Sequence, residues 1–267
     1  MLHKIDERTI EKNFFKWWKF LDTLVGHFMV FLYPPICPGC KVIIFTHGTV
    51  CSDCWKDLQF ITKPYCPVMG IPFSCDMGDG FLSGEALQIS PPFSRARSAI
   101  VHEGLARSLT IRLKYGDHLE LAHFMANWMV FAGREVIDEC DIIIPIPLHF
   151  RRFLGRRYNQ SAELARYIAK TQKKFLKPDW LVRCRYTHPQ VGLSLRERKL
   201  NMRSAFKVPD RVKKHLKGRS ILLVDDVFTT GATVIAAAAA LKRVGTRNVD
   251  VLTFSRVLKD PPTLPHF

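Results

Sequence analysis

Residues 221–233 read ILLVDDVFTTGAT. The apolar run at 221–224 has the length and composition of a buried strand. Two carboxylates, Asp225 and Asp226, follow directly, and because neighbouring like charges repel, the stretch is a poor device for stability. Thr229, Thr230, Gly231, Ala232 and Thr233 then turn into an alanine-rich helix, whose first amide N–H groups lack intrahelical partners and suit an anion. The threonine hydroxyls add donors, and Gly231 lets the backbone approach a ligand closely. A phosphate beside two carboxylates is acceptable only if the ligand also brings hydroxyls for them, or a metal ion; a ribose 5-phosphate unit meets these demands. Consecutive strand residues face opposite sides, so for both carboxylates to reach one sugar the backbone is expected to be leaving the strand here.

Working outward, strand-like and helix-like patterns alternate from about residue 93 onward. ARSAIVHEG (96–104), CDIIIPIP (140–147), RSILLVDDV (219–227) and NVDVLTFSRV (248–257) read as strands. Between them, LARSLTIRLKYG, LELAHFMANWMVFAG, QSAELARYIAKT and GATVIAAAAALKRVG read as helices, with alanines 236–240 a close-packed face. Continuous apolar strands separated by helices predict an α/β fold with a mainly parallel sheet covered on both faces, and ligands beyond the carboxyl ends of its strands. The strand at 142–145 runs into Pro145-Ile146-Pro147, which stops sheet pairing and hands the chain to a loop carrying Arg151 and Arg152.

Upstream, Cys37-Pro-Gly-Cys40 and Cys51-Ser-Asp-Cys54 are separated by ten residues. Two such short turns present four sulfurs to one tetrahedral ion, the pattern of a structural zinc site, with disulfide pairing as the alternative. Cys66 in CPVMG and Cys75 in FSCDMGDG read as a degenerate second knuckle without metal, although either could replace one of the four assigned ligands. Cys140 and Cys184 read as small buried hydrophobes. No internal repeat is evident. Residues 69–92, rich in Gly, Pro, Ser and Asp, read as a linker. The expected organisation is therefore an amphipathic helix in 1–33, a zinc-ribbon-like region with linker in 34–92, and the α/β domain in 93–267. In the first of these, Phe14, Trp17, Trp18, Leu21, Leu24, Val25 and Phe28 recur at helical spacing, with Lys12, Lys16 and Lys19 between them. That face can pack on the protein's own core or lie on a membrane surface.

The formal net charge is +16, from 40 Lys and Arg against 24 Asp and Glu, which favours polyanionic partners: phosphorylated metabolites, nucleic acid or an anionic membrane. No leader with a small-residue cleavage site is evident and the apolar stretch near residues 24–36 is too interrupted to span a bilayer, so a cytoplasmic location, at most peripheral to the inner membrane, is expected.

The stretch at 221–233 resembles the phosphoribosyl-pyrophosphate (PRPP) signature of type I phosphoribosyltransferases. Together with IPIPLHFRRFLGRRYNQSAELA (144–165), RYTHPQVGLSLRERKLNMRSAF (185–206), LKYGDH (113–118) and the CxxC pairs, it is similar to the ComF family, associated with DNA uptake in competent bacteria. Two departures are visible: Arg157 stands where the family usually has glycine, and the second cysteine knuckle is incomplete. The resemblance implies that Asp225 and Asp226 hold the ribose 2′- and 3′-hydroxyls, directly or through Mg²⁺ waters, while Thr229, Thr230, Gly231, Ala232 and Thr233 cradle the 5′-phosphate. It implies a pyrophosphate loop of Pro147, Leu148 and His149 with Arg151 and Arg152 near. It also places Arg157, Asn159, Gln160, Gln190, Arg198 and Asn201 in a basic lid over the site, with Lys114 and Tyr115 either further phosphate or ribose contacts or simply a helix terminus. Structural Zn²⁺ and ligand-borne Mg²⁺ are the implied cofactors. The acceptor would be chosen by a hood, for which the zinc region with Trp55, Phe60 and Tyr65 is the candidate.

Two function classes follow. One is a PRPP-dependent phosphoribosyltransferase acting on an unknown acceptor. The other is a non-catalytic nucleic-acid-binding module on a repurposed phosphoribosyltransferase fold, guiding single-stranded DNA along basic stretches such as RVKKHLKGR. Docking on a competence helicase or a membrane through the N-terminal helix is a third role the sequence suggests.

Overall fold

Buried apolar runs at 142–145, 220–228 and 248–256 force parallel pairing, because each is covered on both faces and joined to the next through a helix. The computed structural model describes residues 34–46, 48–78, 80–115, 118–148, 158–184 and 205–258. Five strands form one parallel sheet in the order β1-β7-β6-β2-β3: β1 (Arg95–Val101), β2 (Ile142–Pro145), β3 (Phe175–Leu176), β6 (Ser220–Phe228) and β7 (Asn248–Arg256). A second, two-stranded sheet pairs β4 (Val182–Arg183) antiparallel with β5 (Phe206–Lys207). The amide of Cys184 donates to Ala205 O at 2.8 Å, closing the stem from which the basic connection 185–204 departs.

The helices in chain order are α1 (Ser52–Lys56), α2 (Gly84–Ile89), α3 (Gly104–Tyr115), α4 (Glu120–Ala132), α5 (Arg134–Asp138), α6 (Gln160–Thr171), α7 (Lys213–Leu216) and α8 (Ala232–Lys242). The period of two along each strand divides the core. Ile142, Ile144, Ile221, Leu223, Val249 and Val251 pack with Val234, Ala237, Ala238 and Leu241 of α8 on one face. On the other face, α4 and α6 pack together and against the sheet. Leu252, from the alternate positions, lies so close to Gly133 at the end of α4 that a methyl group there would collide with it. A 3₁₀ turn at Asp210–Val212 leads into α7.

Among the described residues, two compact units meet at residue 51. The stretch 69–92 is not a plain linker. It carries α2, capped by Ser83 Oγ accepting from the Ala86 amide at 3.3 Å, and it sends Met69 and Ala86 into the main core. The reason is the second knuckle, whose backbone repeats that of the first. In the first knuckle the Cys37 amide donates to Val42 O, Lys41 N to Cys37 O and Ile44 N to Pro35 O, while Ile36 and Ile43 form an antiparallel bridge. In the second, Cys66 N donates to Ile71 O, Gly70 N to Cys66 O and Phe73 N to Pro64 O, and Tyr65 bridges Pro72. Every partner is displaced by the same interval, and the turn residues Lys41 and Gly70 share a left-handed backbone with φ of 69° and 67°. Lysine is tolerated at the first of these. At the second only glycine fits, because a Cβ would collide with the carbonyl oxygen of Ala96 on β1.

The amphipathic segment 1–33 lies outside the described residues. Among the described residues no helix is long and apolar enough to cross a membrane.

Candidate functional site

Strand β6 lies between β7 and β2, and the chain leaves these central strands in opposite directions. From β6 it returns through α8 to β7 on one side; from β2 it returns through α6 to β3 on the other. The two connections part at the carboxyl ends of β6 and β2, which is where a parallel sheet opens a ligand crevice. Asp225 and Asp226 from β6 stand there, with Ile146, Pro147 and Leu148 following β2.

The backbone does not leave the strand at the carboxylates. The β6–β7 ladder pairs Asp225 with Thr253 and continues through Val227 with Ser255 and Phe228 with Arg256. The expectation of an early exit fails because β7 is equally long and supplies partners to the end. The carboxylates are instead separated by what they bind. Asp225 Oδ1 accepts from Ser161 Oγ at 2.8 Å and from the Asp226 amide at 3.0 Å. Asp226, only 8% exposed, pairs through Oδ2 with Lys114 Nζ at 2.9 Å. The Asp225 carboxyl is packed around by neighbours although part of the residue opens to solvent. Burial first, and the adjacent Asp226 charge second, push it up to about 7, against the Ser161 and amide hydrogen bonds that oppose the rise.

The segment Tyr158-Asn159-Gln160-Ser161 builds the floor of this site. Tyr158 OH donates to Leu113 O at 2.6 Å, holding the last turn of α3 from which Lys114 projects. Asn159 caps α6, its Oδ1 accepting from the Ser161 and Ala162 amides, while Nδ2 donates to Ile146 O at 3.0 Å. Gln160 is 2% exposed in the first turn of α6. Asn159 and Gln160 therefore lie beneath the site, not in a lid above it: their amides are consumed by backbone groups that need burial-compatible partners. His102, just beyond β1, has Nδ1 2.8 Å from Ser255 Oγ. Burial, and then the Lys114 charge, hold the imidazole below its ordinary value. Sequence reading missed Ser161 and His102. Ser161 follows the aromatic-Asn-Gln stretch directly, which was the available signal.

Beyond β6, Gly231 is the N-cap of the eleven-residue α8 with φ of 73°, and a Cβ there would lie 2.7 Å from Phe228 Cζ. Thr229 and Thr230 are exposed on the approach, and Ala232 and Thr233 are half-buried in the first turn. The arrangement leaves amides and hydroxyls facing the end of the helix where negative charge is favoured. After β2, Pro147 and Leu148 line a cleft of about 360 Å³ with Asn159, Asp179, Leu181 and Arg183. Tyr115 is 72% exposed at the end of α3. His149, Arg151, Arg152, Arg157, Gln190, Arg198 and Asn201 lie outside the described residues.

The expected hood residues are engaged elsewhere. Trp55 and Phe60 pack with Trp128 of α4, ring centroids 6.2 and 5.0 Å away, and Tyr65 lies under the Arg97 guanidinium at 4.7 Å.

The sulfurs of Cys37, Cys40, Cys51 and Cys54 all lie within 4.8 Å of one another, and the Cys51 amide donates to Cys37 Sγ at 3.4 Å. Four thiolates at this separation fit a tetrahedral zinc ion held for structure. In the second knuckle the equivalent contact is from the Ser83 amide to Cys66 Sγ, also 3.4 Å. Met69, where the first knuckle has Cys40, is fully buried, and Cys66 accepts from its amide. Hydrogen bonds from Ser83 and the backbone hold the Cys66 thiol below its ordinary value despite burial, which raises it. Cys75 is exposed with its sulfur toward Met77. A ligand-borne Mg²⁺ fares differently at the carboxylates. That ion demands near-octahedral oxygen donors, whereas Asp226 Oδ2 already faces an ammonium and Asp225 Oδ1 accepts two hydrogen bonds. This donor set does not fit direct coordination.

Two family models match: a double zinc ribbon domain over residues 28–86 and a phosphoribosyl transferase domain over residues 185–261. The DNA utilization protein YhgH of Shigella flexneri is 30% identical over 231 residues, covering 84% of this chain and 98% of the relative. Competence protein F of Haemophilus influenzae is 26% identical, covering 78% and 90%, and competence protein ComFC of Bacillus subtilis is 24% identical, covering 73% and 79%.

Metal analysis of the purified protein is expected to give one zinc per chain, unaffected by Cys75→Ser and lost in Cys54→Ser; two zinc ions per chain would contradict the reading of the second knuckle. Because the folded protein keeps the Asp225 proton up to about 7 and the unfolded chain releases it near 3.8, folding takes up a proton in that window and stability falls as pH rises through it. Asp225→Asn is therefore expected to gain stability relative to the wild type between pH 5 and pH 8 in urea unfolding. A difference that stays constant over that range would show that the carboxyl is not held protonated.

Proposed function

The chain belongs to the ComF family, and we propose that it binds a ribose 5-phosphate unit, as PRPP or as the free sugar phosphate, at the carboxyl edge of β6 and β2. One observation carries this reading: a single strand, turn and helix present the Asp225–Asp226 pair and the Gly231-capped N-terminus of α8 together. Carboxylates accept hydrogen bonds from ribose hydroxyls, and helix amides donate to phosphate.

With PRPP as substrate, the reaction this arrangement supports is displacement at C1 of the ribose. The bond from C1 to the pyrophosphate oxygen breaks, an acceptor nucleophile bonds to C1, and the pyrophosphate leaves toward the turn at Pro147 and Leu148. Negative charge at Asp226 stabilises the oxocarbenium-like state between them.

A nucleic-acid reading has its own observation. Lys214, Lys217, Arg219, Arg243 and Arg247 are exposed around the starts of β6 and β7, the amino edge of the sheet. Six residues of strand separate that edge from Asp226, a span of roughly 20 Å at about 3.3 Å per residue. A phosphate backbone lying there would not share contacts with the sugar-phosphate site, so the two activities are separable by mutation.

Calorimetric titration of the zinc-loaded protein with ribose 5-phosphate is expected to saturate, with Asp226→Asn weakening binding by about tenfold or more, the loss of one charge-assisted hydrogen bond. No heat at millimolar ligand would remove the proposal. Oligonucleotide affinity should fall steeply with salt and drop in Lys217→Glu/Arg219→Glu/Arg243→Glu, while that triple variant keeps ribose 5-phosphate binding; parallel loss of both would merge the two sites.

A further inference from the structure

The site brings two carboxylates to a place where a phosphate must arrive, and the positive charge that makes this possible is already part of the chain. Lys114 Nζ sits 2.9 Å from Asp226 Oδ2, with the lysine side chain 24% and the aspartate side chain 11% exposed. The pair is thus largely shielded from water, where an ion pair is screened less than at a surface. Lys114 is not free to wander. It stands one residue after Leu113, whose carbonyl accepts from Tyr158 OH and whose side chain is fully buried. Tyr158 in turn precedes Asn159, which is bonded to Ile146 O after β2 and caps α6, and Ser161 of that helix donates to Asp225. One short stretch of chain therefore fixes Lys114 against Asp226 and Ser161 against Asp225 at the same time.

The geometry points to Lys114 as the resident cation of the carboxylate pair: a positioning residue that holds Asp226 for the ribose hydroxyls and replaces a divalent ion there. The inference rests on the ribose 5-phosphate reading and specifies how that ligand is held. A divalent ion would have to displace the ammonium from Oδ2 to bind Asp226 directly through that oxygen. With the lysine in place, the other carboxylate oxygen can accept from a ribose hydroxyl while the local charge stays balanced toward the incoming phosphate.

Ribose 5-phosphate is the suitable probe because it lacks the pyrophosphate that would recruit Mg²⁺ by itself. The zinc-loaded wild type should bind it with equal affinity in Mg²⁺-free buffer and in excess Mg²⁺. Lys114→Met should lose about tenfold or more without Mg²⁺, the expected effect of removing a hydrogen-bonded charge, and recover most of the loss when Mg²⁺ can occupy the vacated place. Lys114→Arg should bind as the wild type does without Mg²⁺. Wild-type binding that requires Mg²⁺, or a Lys114→Met variant that binds like the wild type without it, would overturn the inference while leaving the ribose-phosphate site standing. Absence of wild-type binding in both buffers would overturn the site and this inference with it. The wild-type comparison decides the matter even if Lys114→Met does not fold, and a variant that folds but loses binding irrespective of Mg²⁺ would reduce Lys114 to a structural part.

Discussion

Two carboxylates on consecutive residues of a central strand have to be kept from repelling each other, and much of the site follows from how this is done. Charges about 6 Å apart at an effective dielectric near 20 repel by roughly 3 kcal/mol, a sizeable share of the net stability of an ordinary domain. The protein answers each carboxylate differently. Asp225 is buried, and burial together with the neighbouring Asp226 charge makes it carry its proton into the neutral range, while Asp226 is given Lys114. Because Ser161 and Lys114 come from different helices, the ends of α3 and α6 must meet at this point. Tyr158, donating to Leu113 O, is the clasp that makes them meet.

This explains why the aromatic-Asn-Gln-Ser stretch beneath the site is so rich in polar side chains. Asn159 satisfies two amides at the start of α6 and the carbonyl of Ile146 after β2, so it joins the strand that begins the cleft to the helix that supports Asp225. Buried polar networks of this kind are favourable only when every member is satisfied. A single truncation would then be felt at the carboxylates, at the turn after β2 and at Lys114 together.

The parallel sheet, the carboxylate pair, the helix turn at Gly231 and the zinc ligands were all legible in the sequence because each is written in residues close together along the chain. What was not legible depends on distant partners. Asp226 meets Lys114, and Asp225 meets Ser161, across long stretches of sequence, and no local pattern announces either. The end of β6 was misjudged for a related reason: polar residues usually end a buried strand, but the equal length of β7 supplies a ladder that carries the strand to Phe228. The second knuckle was legible from Cys66-Pro67, but how closely it repeats the first was not, because backbone hydrogen bonds define that match and leave little trace in residue identity once the metal ligands are gone.

The fate of the two knuckles shows which force holds each. Around the first, Ile36, Val42, Ile43 and Phe45 are exposed, and Phe45 is wholly so. A turn with so little apolar surface covered needs another source of folding free energy, and four thiolates around zinc supply it, with binding on the order of 10 kcal/mol in small zinc modules. The second knuckle rests on β1 through Gly70, and its Cys66 and Met69 are completely buried in the main core. Burying a methionine side chain stabilises by roughly 1.5–3 kcal/mol, far less than a metal. Here it is sufficient, because the sheet already fixes the turn: Ala96 N donates to Val68 O, and the buried guanidinium of Arg256 donates to Met69 O. A metal is kept where packing is scarce and is dispensable where a sheet provides the template.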